Sequence, residues 1–198
     1  MLKTLLKPND SVADVGCHIG SFLSLAMRYA PNGRHIAFEA SPTKAVLLKR
    51  KFRTAEIIAK AVSDHAGTVR FIEDAAHSGT SHVGEGGKLI EACTLDEVLT
   101  GRPVDLLKLD IEGHEFAALQ GGLAFLKSRK PPIIFECGPV AITPHREAMF
   151  DLLASLGYGV MTFSDFLYKR GPMQYDEFRR CGIYPFRAMN YVAICGAQ

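Results

Sequence analysis

The chain predicts an α/β fold: a mainly parallel sheet of seven strands with helices on both faces. Three observations support this. Short apolar runs alternate with stretches whose apolar residues recur at helical spacing. Acidic residues close five of the runs, at Asp14, Glu39, Asp64, Asp110 and Glu136, as expected where strand ends line one crest of a sheet. The last two runs, residues 158–163 and 190–195, have no full crossover helix between them, so one is expected to run antiparallel.

Pro8-Asn9-Asp10 turns the lead-in toward the first strand, residues 11–15. A tight turn with Gly16 and Gly20 follows. The next helix has Ile19, Phe22, Leu23, Ala26 and Ala30 as its apolar stripe, and Pro31-Asn32-Gly33 stops it. Residues 34–39 form the second strand. Ser41 as N-cap and Pro42 at the first helical position open a helix that buries Ala45, Leu48 and Phe52. A third strand is expected over 56–62. Two β pieces follow, at 68–73 and 88–92, with the polar, glycine-rich stretch 77–87 between them. Residues 95–99 read as a short helix and 104–110 as a strand. The helix after that strand carries Phe116, Leu119, Leu123 and Leu126 on one face. Gly121-Gly122 interrupts it, at a cost unless a neighbour packs closely there. A strand at 132–136 and a helix at 147–156 complete the alternation. Residues 164–187 are long, aromatic and basic.

A chain of 198 residues supports one domain with a full core, taken as 1–198 with cap or insertion segments at about 75–90 and 164–187. Net charge is +2 and no basic stripe stands out, so nucleic acid is not an expected partner. No run approaches the roughly 18 apolar residues of a membrane span, and residues 1–10 lack the core of a signal peptide. Five widely spaced cysteines without a C-x-x-C pair argue against a disulfide framework or a zinc site. They fit the reduced thiols of a cytoplasmic protein.

The first turn narrows the ligand. A dinucleotide fingerprint laid from Gly16 would put its second glycine on His18 and its third on Ser21, where a pyrophosphate needs bare backbone. No Gly-Lys-Ser/Thr follows, so a P-loop fails as well. A nucleoside without phosphates makes weaker demands, and S-adenosylmethionine is one. A structural strand–turn–helix without ligand is the competing reading of this stretch.

Four segments together resemble the FkbM-type methyltransferases. They are Asp14-Val15-Gly16-Cys17-His18-Ile19-Gly20, Phe38-Glu39-Ala40-Ser41-Pro42, Ala61-Val62-Ser63-Asp64, and Val104-Asp105-Leu106-Leu107-Lys108-Leu109-Asp110-Ile111-Glu112-Gly113-His114-Glu115, whose part from Leu109 on is the most specific. The likeness runs from about Pro8 to about Gly138. It implies a Rossmann-like class I methyltransferase fold, S-adenosylmethionine as cofactor, and O-methylation of a sugar, glycolipid or secondary metabolite. Carried over, it implies that Gly16 and Gly20 form the turn under the methionine part and that Asp14 helps hold its amino group, directly or through water. Glu39 would bind the ribose hydroxyls, with Ser41 and Pro42 beside the adenine. Val62 and Asp64 would lie near the adenine, and Asp110 would face methyl transfer. The residues support Glu39 independently, because one carboxylate suits two vicinal hydroxyls.

A hydroxyl acceptor must also lose a proton. Asp110 is the expected catalytic carboxylate and His114 the next candidate base, with Glu112 beside them. Glu112 and Glu115 also read as charges that favour a helix N-terminus, and His18 as lining of the cofactor turn. Asp110, Glu112, His114 and Glu136 could converge on a divalent ion, but no tight ligand spacing demands one and no metal ligand is assigned. Residues 164–187 are expected to cap a small-molecule or glycan acceptor; covering a sheet edge or making a homodimer contact is the competing use. A nicotinamide oxidoreductase is disfavoured by the glycine spacing. A non-catalytic binder of the same cofactor is the alternative from another class.

Overall fold

The computed structural model describes residues 1–73 and 81–196. In chain order the elements open with α1 (Leu2–Leu5), β1 (Val12–Val15), α2 (Ser21–Tyr29), β2 (Ile36–Phe38) and α3 (Pro42–Lys51). Next come β3 (Glu56–Ile58), β4 (Ala61–Val62), β5 (Gly67–Ile72), β6 (His82–Val83) and β7 (Lys88–Cys93). Then follow α4 (Leu95–Leu99), β8 (Leu106–Leu109), α5 (Glu115–Gln120), α6 (Leu123–Arg129) and β9 (Ile133–Glu136). The chain closes with α7 (Arg146–Ser155), β10 (Tyr158–Thr162), α8 (Phe163–Leu167), α9 (Tyr175–Cys181) and β11 (Asn190–Cys195).

The main sheet has seven strands in the order β10-β11-β9-β8-β1-β2-β3. The five strands from β9 to β3 in that order pair in parallel, and β11 runs antiparallel to both neighbours, as its missing crossover helix required. The chain runs outward from β1 through β2 to β3, then returns to lay β8 on the other side of β1. Loops leaving β1 and β8 therefore diverge, and a crevice opens between their carboxyl ends.

Side-chain alternation divides the core. Val12, Leu106, Ile134 and Val192 pack with α1 and α2 on one face. Ala13, Leu107, Leu109, Phe135 and Tyr191 pack on the other, against helices such as α5, α7 and α9. Lys108 keeps the parity of Leu106, and its ammonium lies 5.8 Å from the Phe22 ring of α2. No helix among the described residues is long and apolar enough to cross a membrane. All five cysteines are free.

Several expectations change. The third strand breaks after Ile58: β3 pairs with β2, while β4 leaves to pair with β7 in a second sheet ordered β4-β7-β5-β6. The expected glycine-rich loop contributes β6, and its residues 77–80 lie outside the described residues. Ile19 precedes α2, because Gly20 takes the N-cap position, and is exposed rather than part of the buried stripe. The long helix after β8 divides into α5 and α6 at Gly121-Gly122. A Cβ on Gly121 would sit 2.1 Å from the Ser63 carbonyl oxygen, so close packing of the second sheet dictates that glycine. Asp96 of α4 then accepts the N–H groups of Ala124 and Phe125 at 3.0 and 2.7 Å, capping α6 from outside.

The aromatic segment before β11 is less open than its composition suggested. Phe178 is fully buried against Phe135 and Tyr191, and Tyr175 packs on Phe150. Buried Arg146 stacks 4.0 Å over Phe178. It donates to the carbonyls of Cys137, Gly138 and Phe178 and to the Tyr191 hydroxyl. It thereby ties the loop after β9 to α9 and β11.

Candidate active site

The turn after β1 is dictated by close approach. Gly16 has φ +79°, and a Cβ there would lie 1.8 Å from the Asp110 carbonyl oxygen. Its N–H and that of Cys17 both donate to the Phe38 carbonyl, at 3.1 and 3.0 Å, so the turn leans on the end of β2. Gly20 has φ +82°, and a Cβ there would meet the Phe52 ring at 2.2 Å.

That lean brings the next backbone N–H, from His18, to the Glu39 carboxylate at 2.7 Å. The other Glu39 oxygen accepts from Ser41 N–H at 2.9 Å. Burial raises the Glu39 pKa, and the two N–H donors partly offset this. Ser41 caps α3 through Lys44 N–H at 3.3 Å and donates its hydroxyl to Glu73. A carboxylate has about four acceptor sites, so Glu39 keeps room for two further donors such as vicinal hydroxyls.

Lys108 joins β1 to β8. Its ammonium lies 2.9 Å from the Gly16 carbonyl and 3.2 Å from both Asp14 Oδ1 and Asp110 Oδ2. Burial pulls its pKa down, but Asp14 and Asp110 more than offset that, and the net direction is up. Asp14 has no exposed surface and finds no well-directed hydrogen bond, although the ammonium is close enough for an ion pair. Charge rather than direction holds that pair. The Cys17 thiol above it is pushed up by burial and then by Asp14.

At the other side of Asp110, its carboxylate, that of Glu112 and that of Glu136 bring oxygens within 4.8 Å of one another. Glu136 is pushed up to about 8 by burial first and then by Asp110, so the cluster carries a proton near neutral pH. Glu112 is also raised, by burial and then by Asp110, and its backbone is left-handed at φ +55°. His114 is not in this group. Its Nε2 lies 2.9 Å from Ser63 Oγ, and Ser63 reaches Asp64 at 3.0 Å. Burial pushes the His114 pKa down, with Asp64 opposing. Glu115 accepts the N–H groups of Ile111 and Gly113 at 2.8 and 3.3 Å, which orders the turn and supports the structural reading of that charge.

These pieces surround one cleft of about 790 Å³, counted out to its open mouth. Of the expected site residues, Gly16, His18, Glu39, Val62, Asp110, Glu112 and His114 line it together. Five do not. Asp14 lies beneath the turn, Gly20 and Pro42 are taken up by helix starts, Ser41 caps α3, and Asp64 bonds Ser63 and His65. Sequence reading missed Lys108 and the apolar wall of Ala61, Phe71 and Val83 given by the second sheet. A lysine inside the apolar run 104–109 was the available signal, since a buried ammonium needs carboxylates.

The Methyltransferase FkbM domain family matches residues 14–160. No curated protein sequence matches the chain. Among solved structures, the fold is similar to a methyltransferase FkbM from Methylobacillus flagellatus KT, with a TM-score of 0.61 at 16% identity. That match covers 96% of this chain but 44% of the other, so the chain spans less than half of that protein. An O-methyltransferase, S-adenosylmethionine-dependent, from Thermotoga maritima gives 0.53 at 13% identity, covering 98% of this chain and 62% of the other. A TehB-like methyltransferase of the same dependence from Corynebacterium glutamicum gives 0.50 at 10% identity, covering 100% and 85%. At these identities the likeness concerns the fold.

Proposed function

The chain belongs to the FkbM methyltransferase family, and from that premise we propose that it methylates a hydroxyl of a sugar, glycolipid or secondary metabolite with S-adenosylmethionine. One observation carries the reading: Glu39 and Asp110 face a single cleft, beside a turn where Gly16 leaves no room for a side chain. In this reading Glu39 binds the ribose hydroxyls with its two unused acceptor sites. The Gly16 turn lies under the methionine part. Asp14 serves that end at one remove, by holding Lys108. The bound cofactor supplies a methyl group on a positively charged sulfur. Asp110 takes the proton of the acceptor hydroxyl, and the Lys108 ammonium 3.2 Å away holds its carboxylate in place. A positioned base of this kind contributes roughly 10²–10⁴-fold.

The acceptor side is read from β9 and β11. Asn190 pairs with Glu136, so the segment entering β11 crosses the sheet beside the carboxylates. Tyr184 and Phe186 on that segment are exposed, with rings 5.9 Å apart at right angles. Ring faces so presented favour an acceptor with an apolar ring face, as sugars have. The test is calorimetry with S-adenosylhomocysteine and turnover assays on hydroxylated acceptors, for the native protein and Asp110→Asn. The variant should bind within about threefold of the native protein and lose roughly 10²–10⁴-fold in turnover. Undiminished turnover would remove Asp110 from the mechanism. A native protein that does not bind the nucleoside would end the cofactor reading.

A further inference from the structure

We infer that His114 reads the base of the bound nucleoside, presenting Nδ1 as a hydrogen-bond acceptor matched to the exocyclic amine of adenine. The inference rests on the cofactor reading above and adds to it a residue that sets cofactor specificity.

The cleft has two chemically different ends. Gly16, Asp110 and Glu112 make one polar. Ala40, Ala61 and Val83 pack together, with Phe71 paired to Val83 and Val62 next to Ala61, to make the other largely apolar beside Lys60 and Ser81, and a flat purine belongs there. Ser63 directly follows Val62, and His114 is bonded to Ser63, so the imidazole borders the apolar end.

Proton counting fixes the tautomer. Ser63 has one hydroxyl proton and two neighbours, Asp64 Oδ1 at 3.0 Å and His114 Nε2 at 2.9 Å. Asp64 is held below the usual carboxylate range by its bonds from His65 and then Ser63, so it is ionised and can only accept. The hydroxyl proton therefore goes to Asp64, and Ser63 Oγ accepts from Nε2–H of His114. Burial holds the imidazole neutral, so Nδ1 carries a lone pair. With Nε2 committed to Ser63, Nδ1 is the ring atom left for the cleft.

Adenine offers a 6-amino donor to such an atom. Hypoxanthine offers a 6-oxo acceptor, which would face it lone pair to lone pair. An unpaired or opposed polar contact of this type corresponds to roughly 5- to 150-fold in affinity. Asp64, expected near the adenine, acts instead through Ser63 on the tautomer.

Isothermal calorimetry with S-adenosylhomocysteine and S-inosylhomocysteine tests this on the native protein, His114→Phe and Ser63→Ala. The native protein should prefer the adenosyl compound by at least about tenfold. His114→Phe should bind it still, with the preference reduced below about threefold. Ser63→Ala frees Nε2 and should also lower the preference, with the histidine in place. Nitrogen NMR of labelled histidine should show the Nε2–H tautomer alone in the native protein and a mixture with Nδ1–H in Ser63→Ala. A full preference retained in His114→Phe, or a native Nδ1–H tautomer, would overturn the assignment. Should His114→Phe fail to fold, Ser63→Ala and the tautomer measurement decide. A native protein that binds both nucleosides equally rejects the reader while leaving the cofactor reading standing; one that binds neither rejects both.

Discussion

Lys108→Met would remove the cation that two strands share. Lys108 Nζ lies 3.2 Å from Asp14, which has no exposed surface. Two unit charges at that distance attract by about 5 kcal/mol at an effective dielectric of about 20, before desolvation is subtracted. Breaking a buried pair from one side costs about 3–5 kcal/mol, because the remaining charge is left unanswered. In a domain of this size each kcal/mol moves the melting temperature by roughly 2–4 °C, so the expected loss is about 6–20 °C. Asp14→Asn in the same background should recover part of it, since no buried carboxylate then remains beneath the turn. Urea unfolding followed by circular dichroism on the two single variants and the double variant gives the coupling, expected at about 2 kcal/mol or more. A Lys108→Met protein within about 1 kcal/mol of the native one, or strict additivity in the cycle, would refute the claim that charge pairing holds β1 to β8.

Glu136 is raised from 4.5 to about 8, so the fold is favoured by its protonated form; that contribution is complete below about 4.5 and is lost as pH rises through about 8. Glu136→Gln should therefore match the native protein at pH 4 and exceed it at pH 9, by on the order of 1–2 kcal/mol in denaturant titrations. Gly121→Ala would gain about 1 kcal/mol in an open helix, but its Cβ would meet a backbone oxygen at 2.1 Å, so a net loss of about 1–3 kcal/mol is expected by thermal unfolding. Replacing Tyr184 and Phe186 together by alanine should raise the acceptor KM by at least about fivefold and leave S-adenosylhomocysteine affinity within about twofold, read by steady-state kinetics and calorimetry.

The parts of this molecule legible in its sequence are those set by neighbours in the chain. Ser41-Pro42 opens a helix because one hydroxyl and one fixed φ act within a turn, and the structure keeps both. Glu39 and Asp110 could be placed because each closes a strand, and parallel strands bring their ends to one crest. Gly121-Gly122 announced a close neighbour without naming it. What stayed hidden depends on partners far apart in sequence. Nothing local shows that Ala61-Val62 leaves the main sheet, because its partner is Ala92-Cys93. That departure carries Asp64 out of the cleft wall and puts Phe71 and Val83 into it. Lys108 was passed over for the same reason: its meaning lies in Asp14 across the sheet.

The second sheet also explains why an acidic crest can serve a ligand with a cationic sulfur without failing to fold. Carboxylates crowded on one crest repel one another, and repulsion falls on whichever groups are least solvated. Here Glu39 is relieved by two backbone donors, Asp14 and Asp110 by Lys108, and Glu136 by keeping its proton. None of those devices uses the wall built by β4, β5 and β6, where Ala61, Val62, Phe71 and Val83 line the cleft beside Ser81 and Lys60, the latter paired with Glu91 at 3.1 Å. Charge is thus settled within the main sheet, and the second sheet is free to supply shape. A flat base can be held there by packing, with its hydrogen bond supplied from His114, while the charged end of the same ligand meets groups whose protons are already arranged.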